Sequence, residues 1–219
     1  MKRKLTLLIT ACICCLSLNA CGHAAQTYTE YVQAVMDCTY QGNADAYRKL
    51  TNASEADAQS IHQEAVRYLS DQLCHQATVD RNALDEQTAA GFDTLAETLV
   101  GKVKYSASGA VKAGDLYQIT ITAEPLNIWA LSLGDLEASY KNDFAKAFYK
   151  ETPGTDSYIS LEGVWGSRAL EIYNAHLDEV AGSEAQSLTT VMYANSDGHY
   201  TLSEQDWRRI DELVFGLTS

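Results

Sequence analysis

The chain has 219 residues, of which 46% are hydrophobic, and this composition is typical of a folded globular protein rather than a disordered one. Its 29 acidic and 16 basic side chains give a net charge of −13 at pH 7. A surface this acidic repels phosphate groups and anionic lipid headgroups. The sequence therefore argues against nucleic acid as a partner and against membrane binding through a basic patch.

The chain opens with the pattern of an export signal. Residues 2–4 are all basic, and residues 5–18 follow as an uncharged, mostly apolar stretch of about 14 residues, which is too short to span a bilayer. Ala20 then stands directly before Cys21. This ending resembles the lipobox of bacterial lipoprotein signal peptides.

The resemblance implies a lipid anchor on Cys21. It implies that the Cys21 thiol receives a diacylglyceryl group and that the chain is cut between Ala20 and Cys21. Two acyl chains hold a protein stably in a membrane leaflet, so the expected location is the outer face of the bacterial cell membrane. The alternatives are an uncleaved N-terminal anchor and an ordinary secretory signal cut near Ala24 or Ala25.

The predicted domain organisation follows from this signal. Residues 1–21 are expected to form the signal peptide with the lipidated Cys21, residues 22–27 a short tether, and residues 28–219 a single α+β domain. Fully extended, the tether reaches about 20 Å, which places the domain close to the bilayer.

Four helices are predicted in the first half of the domain, and one of them is short. Gly42 is expected to end the first helix, Asn43 to cap the short second one, and Ser54 with Asp57 to form a capping box at the start of the third. Apolar stripes at helical spacing mark the three long helices. These stripes are Tyr28, Tyr31, Val32, Val35 and Cys38; Ile61, Ala65, Tyr68, Leu69 and Leu73; and Phe92, Leu95, Ala96, Leu99 and Val100.

The apolar period then changes from helical to two. Tyr117, Ile119, Ile121 and Ala123 alternate with polar residues, which predicts a half-buried strand, and the turn before it makes residues 104–112 its hairpin partner. Two helices follow, with stripes at Trp129, Leu133, Leu136, Tyr140, Phe144 and Phe148, and at Tyr158, Leu161, Trp165, Ala169, Ile172, His176 and Val180.

A second hairpin and a last helix complete the domain. Residues 187–194 and 199–202 are predicted strands joined by an Asp-Gly turn. Ser203 is expected to cap the last helix, and Trp207 to be buried on its inner stripe. The fold class is therefore α+β, helix-rich with a small antiparallel sheet built from two hairpins.

Several short stretches recur together in one group of proteins. They are Tyr31-Val32, Gln41-Gly42-Asn43 before Tyr47, Lys49-Leu50-Thr51 before Ser54-Glu55-Ala56, and the strand Tyr117-x-Ile119-x-Ile121 that ends in Glu124-Pro125-Leu126. In these stretches the chain resembles a family of uncharacterised lipoproteins from Gram-positive anaerobes. The family has no assigned activity, so the resemblance supplies no functional residues.

No motif marks a catalytic or cofactor site, so none is expected. His62-Gln63-Glu64 matches half of a zinc deaminase signature, but the P-C-x-x-C half is missing. Cys74 and His75 are neighbours on a helix and point about 100° apart, which is poor geometry for a thiolate–imidazole pair. The stretch 163–167 superficially resembles a nucleophile turn, but it lies within a predicted helix, where its glycines favour close packing.

The strongest metal candidate is the loop before the last helix. Asn195, Asp197 and Glu204 match three positions of a calcium-binding EF-hand loop. Tyr193 stands at the first ligand position, and a strand precedes the loop. A hairpin turn followed by a capped helix explains these residues, so no metal is expected.

Other chemistry-bearing residues have structural interpretations. His176 lies on an apolar stripe and is expected to be partly buried and hydrogen-bonded. Asp211 and Glu212 are interpreted as a solvated helix face, and most of the 13 tyrosines as core residues, although some could line a groove for a sugar or peptide. Cys38 and Cys74 allow either a disulfide or two buried thiols.

Two classes of function remain. The first is a lipid-anchored surface module without enzymatic activity that binds an unknown protein or glycan. The alternative is a cell-envelope hydrolase that acts on cell-wall or glycan material through carboxylates. A pocket with two carboxylates of separated pKa values would favour the hydrolase, whereas a shallow groove lined with tyrosine and tryptophan, or no pocket, would favour the module.

Overall fold

The structure, a computed structural model, describes residues 21–144, 157–194 and 200–217. Contacts among them group into two compact units, each assembled from separate stretches of the chain. Unit 1 contains the chain up to His62, Lys104–Glu124 and the chain from Ala185, whereas unit 2 contains Gln63–Val103 and Pro125–Glu184. The sequence predicts a single domain for residues 28–219, and that stays a prediction.

The described residues form seven α-helices and four β-strands. In chain order these are α1 (Cys21–Gln41), α2 (Asp45–Thr51), α3 (Glu55–Gln76), α4 (Glu86–Val100), β1 (Lys104–Ala113), β2 (Leu116–Glu124), α5 (Ile128–Ser139), α6 (Ser157–His176), β3 (Gln186–Ala194), β4 (Tyr200–Leu202) and α7 (Glu204–Phe215). The strands form one antiparallel sheet in the order β1-β2-β3-β4, so the two hairpins lie side by side. The predicted α+β class is confirmed.

Capping residues set the ends of the first helices. α1 ends where Gly42 adopts a φ of +64°, the left-handed conformation that favours glycine. The Ser54 hydroxyl accepts a hydrogen bond from the Asp57 N–H (3.1 Å), and the Asp57 carboxylate accepts one from the Ser54 N–H (3.3 Å), so the capping box is confirmed. Ala44 rather than Asn43 holds the cap position of α2, but the Asn43 Oδ1 atom accepts a hydrogen bond from the Asp45 N–H (3.4 Å), so Asn43 still bonds the first turn of this helix.

The start of α1 changes the conformation expected for the tether. α1 begins at Cys21, so residues 22–27 are helical rather than extended. Because a helix rises about 1.5 Å per residue, these residues span about 9 Å instead of about 20 Å. Their role as the link between a lipid and the domain stays a prediction.

The two faces of the sheet in unit 1 differ in burial. Tyr117, Ile119, Ile121 and Ala123 are buried, as their alternation predicts. α1 packs along β1, and α7 packs against β2 and β3. The residues between the buried ones point to the other face and are exposed or half-exposed. The sheet therefore has one packed face and one open face.

Side chains of α1 close the outer edge of β1. The Gln33 Oε1 atom accepts a hydrogen bond from the Ala107 N–H (2.8 Å), and the Thr29 Oγ1 atom accepts one from the Ala110 N–H (3.2 Å). Unpaired N–H groups on an edge strand are templates for aggregation, so these bonds protect the edge. They also show that the N-terminal part of α1 lies beside the turn between β1 and β2.

The closing helix α7 is capped as predicted but buries a different side chain. The Ser203 hydroxyl accepts a hydrogen bond from the Asp206 N–H (3.0 Å). The predicted burial of Trp207 is wrong, because its side chain is partly exposed. Phe215, which the predicted stripe omits, is fully buried and meets the ring of Tyr40 edge to face.

Unit 2 is a helical unit in which α6 packs against α4 and α5. The buried Trp165 Nε1–H donates to the Ala77 carbonyl (2.8 Å), and the buried Tyr173 hydroxyl donates to the Leu73 carbonyl (3.1 Å). The large aromatic side chains of this core therefore have satisfied polar ends. Other fully buried residues of the unit are Leu69, Phe92, Ala96, Leu99, Ile128 and Ala169.

The buried face of α5 is not the predicted one. Leu133, expected on the inner stripe, is 57% exposed, whereas Ile128, Ser132 and Leu136 are buried. Ser132 satisfies its hydroxyl within the helix by donating to the Ile128 carbonyl (2.8 Å). A small polar residue therefore occupies an inner position that a hydrophobic periodicity does not reveal.

Candidate functional site

The open face of the sheet in unit 1 carries two rows of hydroxyl side chains. We call these six residues the hydroxyl face: Ser106, Ser108, Thr120, Thr122, Ser187 and Thr189. The register places three of them side by side in each row, and successive rows on one face of a strand are about 7 Å apart. Thr122 and Ser187 bond each other (2.8 Å), and the described part of the chain offers the other four hydroxyls no side-chain hydrogen bond.

The hydroxyl face is electrically neutral. At one end it is bordered by Lys104 and Glu124, whose charged groups pair at 2.9 Å and so offset each other. Toward the other end the next row contains Gln118 and Val191. In a chain with a net charge of −13, this face is a neutral region.

The end of the sheet next to the start of α1 is aromatic. We call residues 110–117, the β1–β2 turn with its flanks, the hairpin tip. The ring centroids of Tyr28, Tyr117 and Tyr200 lie 4.4 to 5.1 Å apart. The Tyr200 hydroxyl donates to the Asp115 carbonyl in the tip (3.1 Å). These contacts fix the tip against the first turns of α1.

Exposed apolar side chains gather at the same end. Among the described residues of unit 1, three large apolar side chains are exposed: Val111 (61%), Leu116 (40%) and Tyr193 (41%). All three belong to the open face, because Val111 pairs with Gln118 and because side chains alternate along β2 and β3. The hairpin tip therefore presents an apolar edge to its surroundings.

Unit 2 contains an open groove of about 960 Å³ beside α6. The polar residues that line it are Asp80, Asn82, Asp85, Ser167, Arg168 and Glu171. The groove is shallow, and exposed Val164 adds an apolar patch to its wall.

The two aspartates in the groove serve as helix caps. Asp85 caps α4, because its carboxylate accepts hydrogen bonds from the Thr88 N–H and hydroxyl, both at 2.8 Å. These bonds hold the pKa of the Asp85 carboxyl below its usual range. The Thr88 hydroxyl also lies 3.0 Å from the Ser167 hydroxyl, and Asp80 accepts the Asn82 N–H (3.0 Å).

A smaller cavity of about 440 Å³ adjoins α5 and shares Arg168 and Glu171 with the groove. Arg168 donates to the Ser139 hydroxyl (3.2 Å) and pairs with Glu171 (2.9 Å). His176 lies 2.9 Å from the carboxylate of Asp135, which lines this cavity, and is partly buried. The structural interpretation of His176 is confirmed.

The stretch 163–167 lies within α6, as predicted. Gly166 allows close packing, because a Cβ atom at this position would collide with the Leu84 side chain. Gly163 faces open space, so the packing interpretation does not extend to it. Ser167 bonds Thr88 and is part of a helix-capping network rather than a nucleophile turn.

Asp211 is a chemically distinctive residue that the sequence does not reveal. The interpretation of Asp211 as part of a solvated helix face is wrong, because the Tyr40 hydroxyl donates to its carboxylate at 2.6 Å. Burial, with a smaller effect of the Glu212 charge, raises the pKa of Asp211 to about 7. Tyr40 is itself fully buried, and its helical spacing in α1 gives no sign of a carboxylate partner.

The histidine and cysteine motifs have structural roles. The His62 Nδ1 atom lies 2.9 Å from the Thr39 carbonyl oxygen. Cys74 is buried while the neighbouring His75 is exposed, so the two side chains diverge as expected. Cys38 and Cys74 are both buried free thiols, and burial raises the pKa of each to about 11.

The calcium candidate is only partly within the described residues. Asn195 and Asp197 lie outside them, and Glu204 is an exposed residue in the first turn of α7. In the ranges that the structure describes, no three histidine, cysteine or acidic side chains group as a metal site would require. Nor is any helix of these ranges long and apolar enough to cross a membrane.

Tyrosines mainly serve the core. Five of the described tyrosines are buried: Tyr31, Tyr40, Tyr47, Tyr117 and Tyr173. Tyr140 and Tyr193 are the exposed ones of the described set. None of the described residues that line the groove of unit 2 is a tyrosine, and burial confirms the core interpretation for these five.

The fold is similar to that of a bacterial lipoprotein. No model of a protein family matches the chain, and no curated protein matches it. The solved structure of YcdA from Bacillus subtilis, provisionally described as a lipoprotein, superposes with a TM-score of 0.51 at 13% identity. The match covers 85% of this chain and 55% of YcdA, so the chain spans about half the length of that protein. The likeness is one of fold, and at that level it fits the lipoprotein resemblance of the sequence.

Proposed function

We propose that this protein is a lipid-anchored surface module that binds a neutral glycan without transforming it. The lipobox ending at Cys21 and a fold shared with YcdA support the anchored location. The observation that carries the binding proposal is the hydroxyl face of unit 1.

The chemistry of the hydroxyl face suits a sugar polymer. Serine and threonine hydroxyls both donate and accept hydrogen bonds, as sugar hydroxyls do. The face is neutral, whereas the acidic remainder of the chain would repel an anionic polymer. Protein interfaces favour large aromatic and aliphatic side chains at their centre, and the six hydroxyl residues are all small and polar. A neutral glycan is therefore the better of the two ligand classes.

The hydrolase alternative stays a prediction that the groove of unit 2 does not favour. A glycosidase needs a carboxylic acid whose pKa is raised so that it can protonate the leaving group. The pKa of Asp85 is instead lowered by its capping bonds. Glu171 is paired with Arg168, so the groove uses these carboxylates structurally.

The anchor is tested by metabolic labelling with a radioactive fatty acid. Cys21→Ser should abolish the label and release the protein from the membrane fraction, because this thiol is the proposed acceptor. Cys12→Ser is the matched control within the signal segment, and it should keep both the fatty-acid label and the association with the membrane fraction. Equal label on wild type and Cys21→Ser would contradict the anchor.

The binding proposal is tested by co-sedimentation of the full chain, in detergent, with insoluble cellulose or chitin. Wild type should sediment with at least one of these neutral polysaccharides. The double variant Thr120→Val/Thr189→Val should bind several-fold more weakly, because valine keeps the β-branched shape and lacks the hydroxyl.

The control for this experiment is Thr94→Val/Thr98→Val, which changes two exposed threonines of α4. It should bind as wild type does. Equal binding by the hydroxyl-face variant, or no sedimentation of wild type with either polysaccharide, would contradict the glycan and leave the lipid anchor standing.

A further inference from the structure

We infer that the hairpin tip of unit 1 docks on the surface of the membrane that holds the Cys21 lipid. The inference rests on the proposed lipid anchor and adds a second, noncovalent contact between protein and bilayer. We expect the membrane interface to cover the exposed apolar edge.

The position of Cys21 on α1 brings the tip to the membrane. The Tyr28 ring meets the Tyr117 ring in a tilted arrangement, with centroids 4.4 Å apart, and Thr29 accepts a hydrogen bond from the Ala110 N–H, so these turns of α1 lie against the tip. Cys21 begins the same helix two turns before Tyr28, which corresponds to about 10 Å along the helix axis. A lipid on Cys21 therefore holds the tip within a short distance of the headgroups.

The side chains of the tip suit the membrane interface. Val111 and Leu116 are aliphatic and exposed, and clusters of exposed apolar side chains mark interaction surfaces. Tyrosine is enriched at the level of lipid headgroups, because its ring is apolar while its hydroxyl is polar. Tyr193 is exposed at this end of the open face and provides such a ring, whereas Tyr28 and Tyr200 pack on the buried Tyr117 behind it.

The charge of the tip permits this contact. Within residues 110–117 the charged side chains are Lys112 and Asp115, so the segment is neutral overall. The chain as a whole carries −13, and an acidic face would be repelled by anionic headgroups. The apolar edge therefore coincides with a segment where charge does not oppose approach to the bilayer.

Docking at the tip leaves the hydroxyl face accessible. Along β2, Leu116 lies about 14 Å from Thr120, and Val111, which pairs with Gln118, lies one row or about 7 Å from it. Thr120 belongs to the hydroxyl row nearer the tip, and the row of Thr122 lies farther from the tip. Membrane contact and ligand binding would thus use different parts of one open face.

The experiment places an environment-sensitive fluorophore at single cysteines of the full lipidated chain in phosphatidylcholine vesicles. Val111→Cys reports on the tip, and Val164→Cys is the matched control, because both valines are similarly exposed (61% and 64%). Native Cys38 and Cys74 are buried and their thiol pKa values are raised to about 11, so they react slowly with the reagent at neutral pH.

The fluorophore at position 111 should emit at shorter wavelength, and lipids with a doxyl spin label should quench it several-fold more strongly than at position 164. Leu116→Cys should behave like Val111→Cys and serves as the second variant if the first does not fold. Equal quenching at 111 and 164 on vesicles that float with the protein would overturn the docking and leave the anchor intact. A blue shift at 111 without lipid quenching would assign the tip to a protein contact, such as a second copy, and would also overturn it.

Discussion

The hydroxyl face of unit 1 and the groove of unit 2 both carry polar side chains, but the polar groups differ in how far they are already bonded within the protein. In the groove, Asp85 caps α4, and Arg168 is held by Ser139 and Glu171. On the hydroxyl face, as far as the sheet is described, the six residues make one side-chain hydrogen bond, which joins Thr122 and Ser187. The groove residues named here thus already have hydrogen-bond or ion-pair partners within the protein, whereas four of the six hydroxyls on the described part of the open sheet do not.

This difference argues against choosing a binding site by cavity size alone. A hydrogen bond to a ligand is favourable when it does not replace one already made within the protein. The aspartates of the groove would have to give up capping bonds, and Glu171 its ion pair with Arg168, before they could bind or catalyse. The hydroxyl face would exchange only water, so we place binding there and structure in the groove.

The largest expected effect comes from replacing Arg81, which supports the turn that carries the groove residues Asp80 and Asn82. Arg81 is 12% exposed in its side chain, donates to both oxygens of Asp93 at 2.7 Å, and also bonds Ser70. Arg81→Met should lower the free energy of unfolding by about 2–3 kcal/mol, because hydrogen bonds to charged groups are lost. Urea unfolding measures the loss.

Arg67→Met is the matched control. Arg67 also forms an ion pair with an aspartate, in its case Asp71 (3.2 Å), but its side chain is exposed. It should cost less than about 0.5 kcal/mol, as exposed ion pairs do. Both variants, while folded, should bind polysaccharide as wild type does. If folded Arg81→Met lost that binding, the groove would be part of the binding site and the comparison would fail.

The next prediction concerns pH, because Asp211 in unit 1 and Asp85 in unit 2 have pKa shifts of opposite direction. The pKa of Asp211 is about 7 in the fold and near 4 in the unfolded chain, so the folded state binds the extra proton. The contribution of Asp211 to stability is therefore present below pH 4 and is lost as pH rises to 7.

Asp211→Asn tests this pH dependence. The amide is neutral at every pH and its oxygen still accepts the Tyr40 hydroxyl, so the variant should gain stability relative to wild type between pH 4 and pH 7. Glu212→Gln should move the transition to lower pH, because the Glu212 charge contributes to the raised pKa. Identical pH profiles of the free energy of unfolding for wild type and Asp211→Asn would contradict this account.

The smallest expected effect belongs to the hydroxyl face. Thr120→Val/Thr189→Val should change the free energy of unfolding by no more than about 0.5 kcal/mol, as surface substitutions usually do. Its polysaccharide binding should fall at the same time. A large loss of stability in this variant would mean that the hydroxyls support the fold and that the contrast with the groove does not exist.

Local patterns predicted the elements well where one physical signal dominates. The alternation of β2, the capping box at Ser54 and the cap at Ser203 each depend on near neighbours in sequence. The sheet built from two hairpins also followed from turn signals. These features need no knowledge of which helix packs against which strand.

The predictions were wrong where packing against a residue distant in sequence determines which side chain is buried. Trp207 and Phe215 are both large and apolar, but only Phe215 meets Tyr40, so only tertiary packing distinguishes them. Leu133 is exposed and Ser132 buried, because α5 presents a face that its apolar residues do not mark. Asp211 has no sequence signal, since its partner Tyr40 is 171 residues away.

The candidate site was beyond sequence analysis for the same reason. The hydroxyl face requires the register of three strands, which joins residues from 106 to 189. Serine and threonine in alternation are ordinary on the solvent side of a strand. Their arrangement in two rows, and the neutral border around them, became visible only when the strands were paired.

The central claim is that ligand binding occurs on the open sheet and not in the groove. Hydrogen exchange of the full chain in vesicles, with and without soluble chitin oligosaccharide, measures this most directly. We expect slower exchange in segments covering β2 and β3 and unchanged exchange in residues 80–88 and 163–171. Slower exchange confined to the groove segments would contradict the account.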